Sequence, residues 1–247
     1  MALAPDTEDR IARYWAERLG CSPAAFRESG VTVTGHANEE TIRLLRRQNA
    51  LVVAVPADLG DATAGHSEAV FDADFPGTDA VERALADTDT AIDAVHGPYV
   101  LWYVDQPAFS PVESDARLLV GADESAFERL RERVPEADWA RASPTFRPGQ
   151  TAGLFESERL VAVATLTHLP LPDVGVVVDP EHRGRGYGRA VVSAITAAAF
   201  DATADAVVRY RTPASAAASL SLAESLGFER WARSAVLVLD RGQTGSP

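Results

Sequence analysis

A strand, a glycine-rich loop and a helix follow one another in VVVDPEHRGRGYGRAVV, residues 176–192. The run of β-branched residues predicts a strand, and GRAVVSAITAAAFD predicts a helix over 188–201. Glycine is used where a backbone must bend sharply or come close to another group, and arginine beside it favours an anion. A helix N-terminus adds unpaired N–H groups that point along the helix dipole. The segment therefore predicts an anion site at the start of a helix.

Four interpretations of this loop differ in their function. An exposed, solvated turn would not need three glycines in five residues, because each costs conformational entropy. A nucleic-acid-binding arginine–glycine segment is normally repeated in a basic, disordered context, whereas this one is single and lies in an acidic chain. A dinucleotide-binding loop needs G-x-G-x-x-G where the chain has GRGYGRA, and a Walker loop needs the lysine that the chain lacks. The fourth interpretation is a site for the pyrophosphate of an acyl-CoA.

The fourth interpretation is supported by a resemblance to a known family. The pattern Arg183-x-x-Gly186-x-Gly188, between a hydrophobic strand and an alanine-rich helix, resembles the phosphate-binding motif of the GNAT superfamily of N-acetyltransferases. From residue 116 the predicted order is strand, helix, hairpin, strand, loop, helix, strand, helix, strand, which is similar to that family's single domain. SLAESLGF (221–228) resembles its second CoA-facing segment.

The hydrophobic pattern predicts an α/β protein in two parts, with the α+β mixed sheet that the resemblance implies. We predict a smaller α/β N-terminal accessory domain over residues 1–110 and a GNAT-like acetyltransferase domain over 116–240, with the proline-containing segment 106–115 as linker. The predicted N-terminal elements are helices at 5–20, 38–49 and 78–87, strands at 31–34, 50–56 and 96–105, and a long acidic loop at 57–78.

The resemblance implies acetyl-CoA as cosubstrate and a set of residues that bind it. Backbone amides of the loop would hold the pyrophosphate, and pantetheine would pair with the edge of a strand that splays from its neighbour at 205–212. A backbone N–H near Val177 or Val178 would polarise the thioester carbonyl. The cofactor-binding residues expected on this basis are Val176, Val177, Val178, Arg183, Gly184, Arg185, Gly186, Tyr187, Gly188, Arg189 and Ser219.

The catalytic side chains are harder to assign, because the chain departs from the family pattern. Ala223 stands where many members carry a general-acid tyrosine, and Ala216 replaces an expected asparagine. Valines occupy the strand that often carries a basic glutamate, so the nearest titratable candidates for general base are His168 and Asp173. Histidine suits this role by its ordinary pKa, although a structural role is the alternative. Glu156 and Glu158 are assigned only to a hairpin turn.

Composition limits the partners. The chain has 247 residues and a formal net charge of −13, and all 23 basic residues are arginine. Such an acidic, lysine-free chain argues against a nucleic-acid binder and predicts a surface adapted to high salt, as in halophilic proteins. Cys21 is the single cysteine and no long apolar run is present, so we expect a cytoplasmic protein without membrane partners. No metal site is expected from the spacing of potential ligands.

These observations predict an enzyme, an acetyl-CoA-dependent N-acetyltransferase that acts on a small-molecule or peptide amine by direct attack. The alternative is a catalytically silent acyl-CoA-binding regulatory or scaffold protein, favoured by Ala223. The assembly is left open between a monomer and a homodimer.

Overall fold

The computed structural model describes residues 2–36, 38–167 and 170–241. The helices are α1 Pro5–Leu19, α2 Gly60–Ala64, α3 Ser67–Asp72, α4 Thr78–Leu85, α5 Glu124–Arg133, α6 Glu136–Ala142, α7 Tyr187–Ala202 and α8 Ala217–Ser225. The strands are β1 Gly30–His36, β2 Thr41–Arg47, β3 Ala50–Pro56, β4 Thr90–Asp105, β5 Arg117–Leu118, β6 Thr151–Glu156, β7 Arg159–Leu166, β8 Val174–Val178, β9 Val207–Pro213 and β10 Glu229–Arg241. None of the helices in the described part of the chain is long and apolar enough to cross a membrane.

The chain forms two compact units that are discontinuous in sequence. The N-terminal unit consists mainly of Pro5–Leu101, with Thr212–Ser215 and the segment that begins at Arg230. The C-terminal unit consists mainly of Trp102–Arg211 and Ala216–Glu229. The division into domains 1–110 and 116–240 stays a prediction.

The N-terminal unit is built on a mixed sheet in the order β1-β3-β2-β10-β4. β1 runs parallel to β3, whereas β2 is antiparallel to both β3 and β10. One face of this sheet carries a buried cluster that includes Ile42, Val53 and Leu237, and Val70 and Val81 from the short helices pack into it. The prediction of a mixed α and β protein is confirmed.

The predicted helix at 38–49 is wrong, because residues 41–47 form β2. Ile42 and Leu44 alternate with exposed Arg43, which is the period of a half-buried strand. The strand is fixed on one side by β10, which lies almost two hundred residues later in the chain. The sequence of residues 38–49 does not indicate this pairing, and the tertiary contact overrides the helix propensity of the segment.

The predicted acidic loop at 57–78 is also wrong in part. It contains a 3-10 turn and two short helices, α2 and α3, whose buried residues are Leu59, Thr63 and Val70. These positions have helical spacing, but the surrounding aspartates and glycines are typical of loops and favour a loop prediction.

The C-terminal unit has an antiparallel sheet in the order β5-β6-β7-β8, including the predicted β6–β7 hairpin. On one face, Phe127 of α5 and Trp139 of α6 pack against Val163 and Val177. Helix α7 lies on the other face, where Val176 and Val178 lie near its first turn at Gly188. Helix α6 was not predicted.

Candidate active site

The loop between β8 and α7 begins with a short 3-10 turn at Pro180–His182 and continues through Arg183 to Gly186. Gly184 and Gly186 have φ angles of +77° and +82°. These are left-handed conformations that residues with a side chain rarely adopt. A Cβ at either glycine would meet no heavy atom within 4 Å in the described residues, so these glycines serve the backbone conformation and leave open space beside it.

The first turn of α7 offers backbone donors to this space. Gly186 is the N-cap and has no side chain that could cap these donors. The helical hydrogen bonds begin with the N–H of Ala190, which donates to the carbonyl of Gly186 at 3.1 Å. The N–H groups of Tyr187, Gly188 and Arg189 therefore precede the hydrogen-bond ladder of the helix. Such a set of N–H groups at the positive end of a helix dipole is suited to bind an anion.

The loop arginines are paired with carboxylates. Arg183 donates to Asp138 at 2.8 Å, and Arg185 donates to both oxygens of Glu156 at 3.2 and 3.3 Å. Both arginine side chains are 51% exposed, so these ion pairs are open to water and exchangeable. An anion must therefore compete with the protein's own carboxylates for these two arginines. It meets no such competition at the backbone N–H groups of the first turn of α7.

Glu156, at the end of β6, is the residue that sequence reasoning missed. Besides Arg185, its carboxylate accepts a hydrogen bond from the hydroxyl of Tyr187 at 2.9 Å and lies 3.0 Å from Nε2 of His182. The signal in the sequence was only its place at the end of a strand in the same sheet as β8. The register of that sheet, which brings the end of β6 to the loop, is not encoded locally.

Asp179 anchors the start of the loop. Its buried carboxylate accepts hydrogen bonds from Arg133 at 2.8 Å, from Arg159 at 2.9 Å and from the N–H of Glu181 at 3.1 Å. Burial opposes its charge, but these hydrogen bonds outweigh burial and hold the pKa of Asp179 well below its usual range.

One group of potential metal ligands lies beside this loop. Asp179, Glu181 and His182 bring ligand atoms within 4.8 Å of one another. Because the oxygens of Asp179 already accept from two guanidinium groups, the arrangement is an ion-pair network and does not suit a divalent cation.

In the described residues, β8 and β9 are joined at one point. A single parallel bridge joins Asp173 to Arg209 within the described ranges, and β9 is not part of the sheet that contains β8. The edge of β8 that faces away from β7 is therefore not covered by a neighbouring strand over Val174–Val178 in the described part of the chain. An extended ligand with amide groups can pair with such an edge.

The two candidate general bases differ in what the structure describes. Asp173 lies at the point where β8 and β9 diverge, and its carboxylate forms an ion pair with Arg209 at 3.1 Å. Both side chains are nearly buried, with exposed fractions of 13% and 10%. His168 lies outside the described residues.

The second predicted cofactor segment is α8 and its end. Ser219 hydrogen-bonds the hydroxyl of Tyr210, and burial raises the pKa of that tyrosine. Ala223, which stands where many family members carry a general-acid tyrosine, is completely buried. Gly227 ends the helix with a φ of +83°, and a Cβ there would lie 2.1 Å from the carbonyl oxygen of Ala108.

Comparisons with known proteins identify the family. Residues 117–228 match the model of the acetyltransferase (GNAT) family. A GNAT-family protein of known structure from Novosphingobium aromaticivorans is 30% identical, with 63% of this chain and 69% of that chain covered and a TM-score of 0.46. No protein with a curated description matches.

Two further structures are similar. The GCN5-related N-acetyltransferase from Sphaerobacter thermophilus is 16% identical over 99% of this chain and 96% of its own, with a TM-score of 0.51, which shows a shared fold. The GCN5-related N-acetyltransferase from Kribbella flavida is 19% identical over 65% and 64% of the two chains, with a TM-score of 0.47. The chain belongs to the GNAT acetyltransferase family, whose members use acetyl-CoA as cosubstrate; the acceptor of this one is unknown.

Proposed function

We propose that the protein is an N-acetyltransferase that moves the acetyl group of acetyl-CoA to a primary amine of a small molecule or peptide. The observation that carries this proposal is the combination of a donor-rich helix start at α7 with an uncovered strand edge at β8. A CoA molecule has matching parts, because its pyrophosphate is an anion and its pantetheine carries amide groups. The sequence motif Arg183-x-x-Gly186-x-Gly188 forms the loop that joins the two features.

The proposed binding residues divide by role. The N–H groups of Tyr187, Gly188 and Arg189 hold the pyrophosphate, and the conformations of Gly184 and Gly186 keep the backbone open to it. Arg183 and Arg185 add positive charge beside it. Val176–Val178 supply the edge for pantetheine, and an N–H near Val177 or Val178 polarises the acetyl carbonyl. Ser219 contacts CoA through its hydroxyl group.

The proposed reaction is a direct transfer. The amine nitrogen attacks the acetyl carbon, the carbon–sulfur bond breaks, and CoA leaves as the thiolate while the amine loses a proton. Thiols are much more acidic than alcohols, as the cysteine pKa of about 8.5 illustrates, so a thiolate can leave without an acid at position 223. Positioning of the two substrates supplies much of the rate acceleration. His168 and Asp173 are the candidate proton acceptors, and Asp173 would act from within its ion pair with Arg209.

The proposal extends to the organisation of the chain. The transferase domain would occupy 116–240 and the accessory domain 1–110, in a cytoplasmic protein whose single cysteine suits a reducing compartment.

The rival function is a silent acyl-CoA-binding protein, which buried Ala223 favours. Release of CoA thiol should be measured with acetyl-CoA and a panel of small amines, polyamines and peptides, in parallel with thermal stabilisation by acetyl-CoA. The proposed enzyme releases thiol with at least one acceptor class. Stabilisation without thiol release over the whole panel would support the rival, and the absence of any stabilisation or release would refute both.

A further inference from the structure

We propose that Glu156 is a positioning residue for the phosphate loop, which holds the turn between β8 and α7 in its anion-binding conformation. The inference rests on the proposed function, because it assigns a role in binding the CoA pyrophosphate. Charge alone would predict the opposite effect of Glu156, since a carboxylate beside an anion site should repel the ligand.

The contacts of Glu156 lie on both sides of the flexible part of the loop. His182 precedes both left-handed glycines, Arg185 lies between them, and Tyr187 follows them as the first residue of α7. One carboxylate therefore joins three points of the loop. Because glycine loses more backbone entropy on ordering than other residues, a loop with two such glycines gains most from an external restraint.

Glu156 is itself a firm point of attachment. It is the last residue of β6 and pairs with Arg159 across the hairpin, so its backbone is held by the sheet. Its side chain is 38% exposed, and its charge is balanced by Arg185. This balance reduces the repulsion that the carboxylate would exert on a bound phosphate.

The neighbouring Glu158 provides a matched control. It lies two residues further along the same turn, is exposed, and forms no hydrogen bond or ion pair within the described residues. Removal of its charge alters the local potential without altering the restraint of the loop. Comparison of the Glu156 and Glu158 variants therefore distinguishes loss of the loop restraint from loss of negative charge.

The two effects have opposite signs. If Glu156 acted only through its charge, its neutralisation would tighten the binding of CoA. If it positions the loop, its loss weakens the binding, because the ligand must then order the loop itself. Glu156→Gln keeps an oxygen that accepts from Tyr187, so it should retain more affinity than Glu156→Ala.

The test measures the dissociation constant of CoA by calorimetry for the wild type, Glu156→Ala, Glu156→Gln and Glu158→Gln. We expect Glu156→Ala to bind about tenfold more weakly, Glu156→Gln to lie between it and the wild type, and Glu158→Gln to bind at least as tightly as the wild type. Unchanged or tighter binding by Glu156→Ala would overturn the inference. Failure of the wild type to bind CoA would instead refute the proposed function.

A second measurement distinguishes positioning from general damage to the fold. Acetyl-pantetheine lacks the pyrophosphate, so the Glu156 variants should use this donor with the same kcat/KM as the wild type while their KM for acetyl-CoA rises. An equal loss with both donors would show a structural effect only and would overturn the inference.

Discussion

Replacement of Asp179 by asparagine tests the network at the base of the loop. The carboxylate is buried, with 1% of its side chain exposed, and it accepts from Arg133, Arg159 and the N–H of Glu181. Asparagine preserves the shape of the side chain and one acceptor oxygen. It removes the negative charge and leaves the two guanidinium groups without their buried partner.

The magnitude follows from these contacts. Loss of one partner of a buried ion pair typically costs about 3–5 kcal/mol. Arg133 is 28% exposed and Arg159 is 40% exposed, so water replaces part of the lost interaction. We therefore expect the free energy of unfolding to fall by about 2–3 kcal/mol at pH 7. For a chain of this size that corresponds to a drop in Tm of roughly 4–12 °C.

The pH dependence has a definite sign. The pKa of Asp179 in the folded protein is held below that of an unfolded aspartate, which is about 3.9. Its contribution to stability is therefore fully present above that value and is lost as the pH falls towards the folded pKa. The difference between the wild type and Asp179→Asn should be largest at neutral pH and should narrow below about pH 4.

Urea denaturation at pH 7 and at about pH 3.5 measures this difference. Asp138→Asn is the control, because Asp138 pairs only with the exposed side chains of Arg141 and Arg183 in the described residues. It should change the free energy of unfolding by less than about 1 kcal/mol. A loss below about 1 kcal/mol for Asp179→Asn at pH 7, or a difference that widens in acid, would refute the reasoning.

Three further changes test other parts of the account. Gly186→Asp, or Gly188→Asp, should abolish CoA binding in calorimetry while circular dichroism remains native, through steric block and like-charge repulsion; unchanged affinity in a folded variant would refute the site. Gly227→Ala should lower the Tm far more than Gly184→Ala, because its Cβ would overlap the oxygen of Ala108 whereas Gly184 incurs only the strain of a positive φ, about 1–2 kcal/mol. Activity in a salt series from dilute buffer to molar salt tests the interpretation of the charge of −13, which predicts retained or higher activity at high salt and is contradicted by a preference for dilute buffer.

The features that the sequence predicted well are local. The strand, glycine loop and helix at 176–192 are encoded by consecutive residues. Helix α7 extends one residue beyond the predicted helix at each end, and β8 ends at Val178, the last valine of the predicted strand. The β6–β7 hairpin was equally local, because two apolar runs flank a short polar turn. These elements need little information from elsewhere in the chain.

The features that the sequence did not predict depend on distant partners. Residues 38–49 alone favour a helix over the strand β2, because the pairing with β10 is not visible in this segment. Glu156 was assigned to a turn because its contacts to Arg185 and Tyr187 depend on the register of three strands. The pairing of Arg183 with Asp138 likewise joins residues 45 positions apart, and Asp138 lies in α6, a helix that was not predicted.

The central claim is that the start of α7 holds the pyrophosphate of CoA. Amide chemical shifts recorded during a titration of the 26.3 kDa protein with CoA test it directly. The account predicts that the amides of Tyr187, Gly188 and Arg189 shift strongly and saturate together with the binding isotherm, and that acetyl-pantetheine leaves them nearly unchanged. CoA that binds without moving these three amides would contradict it.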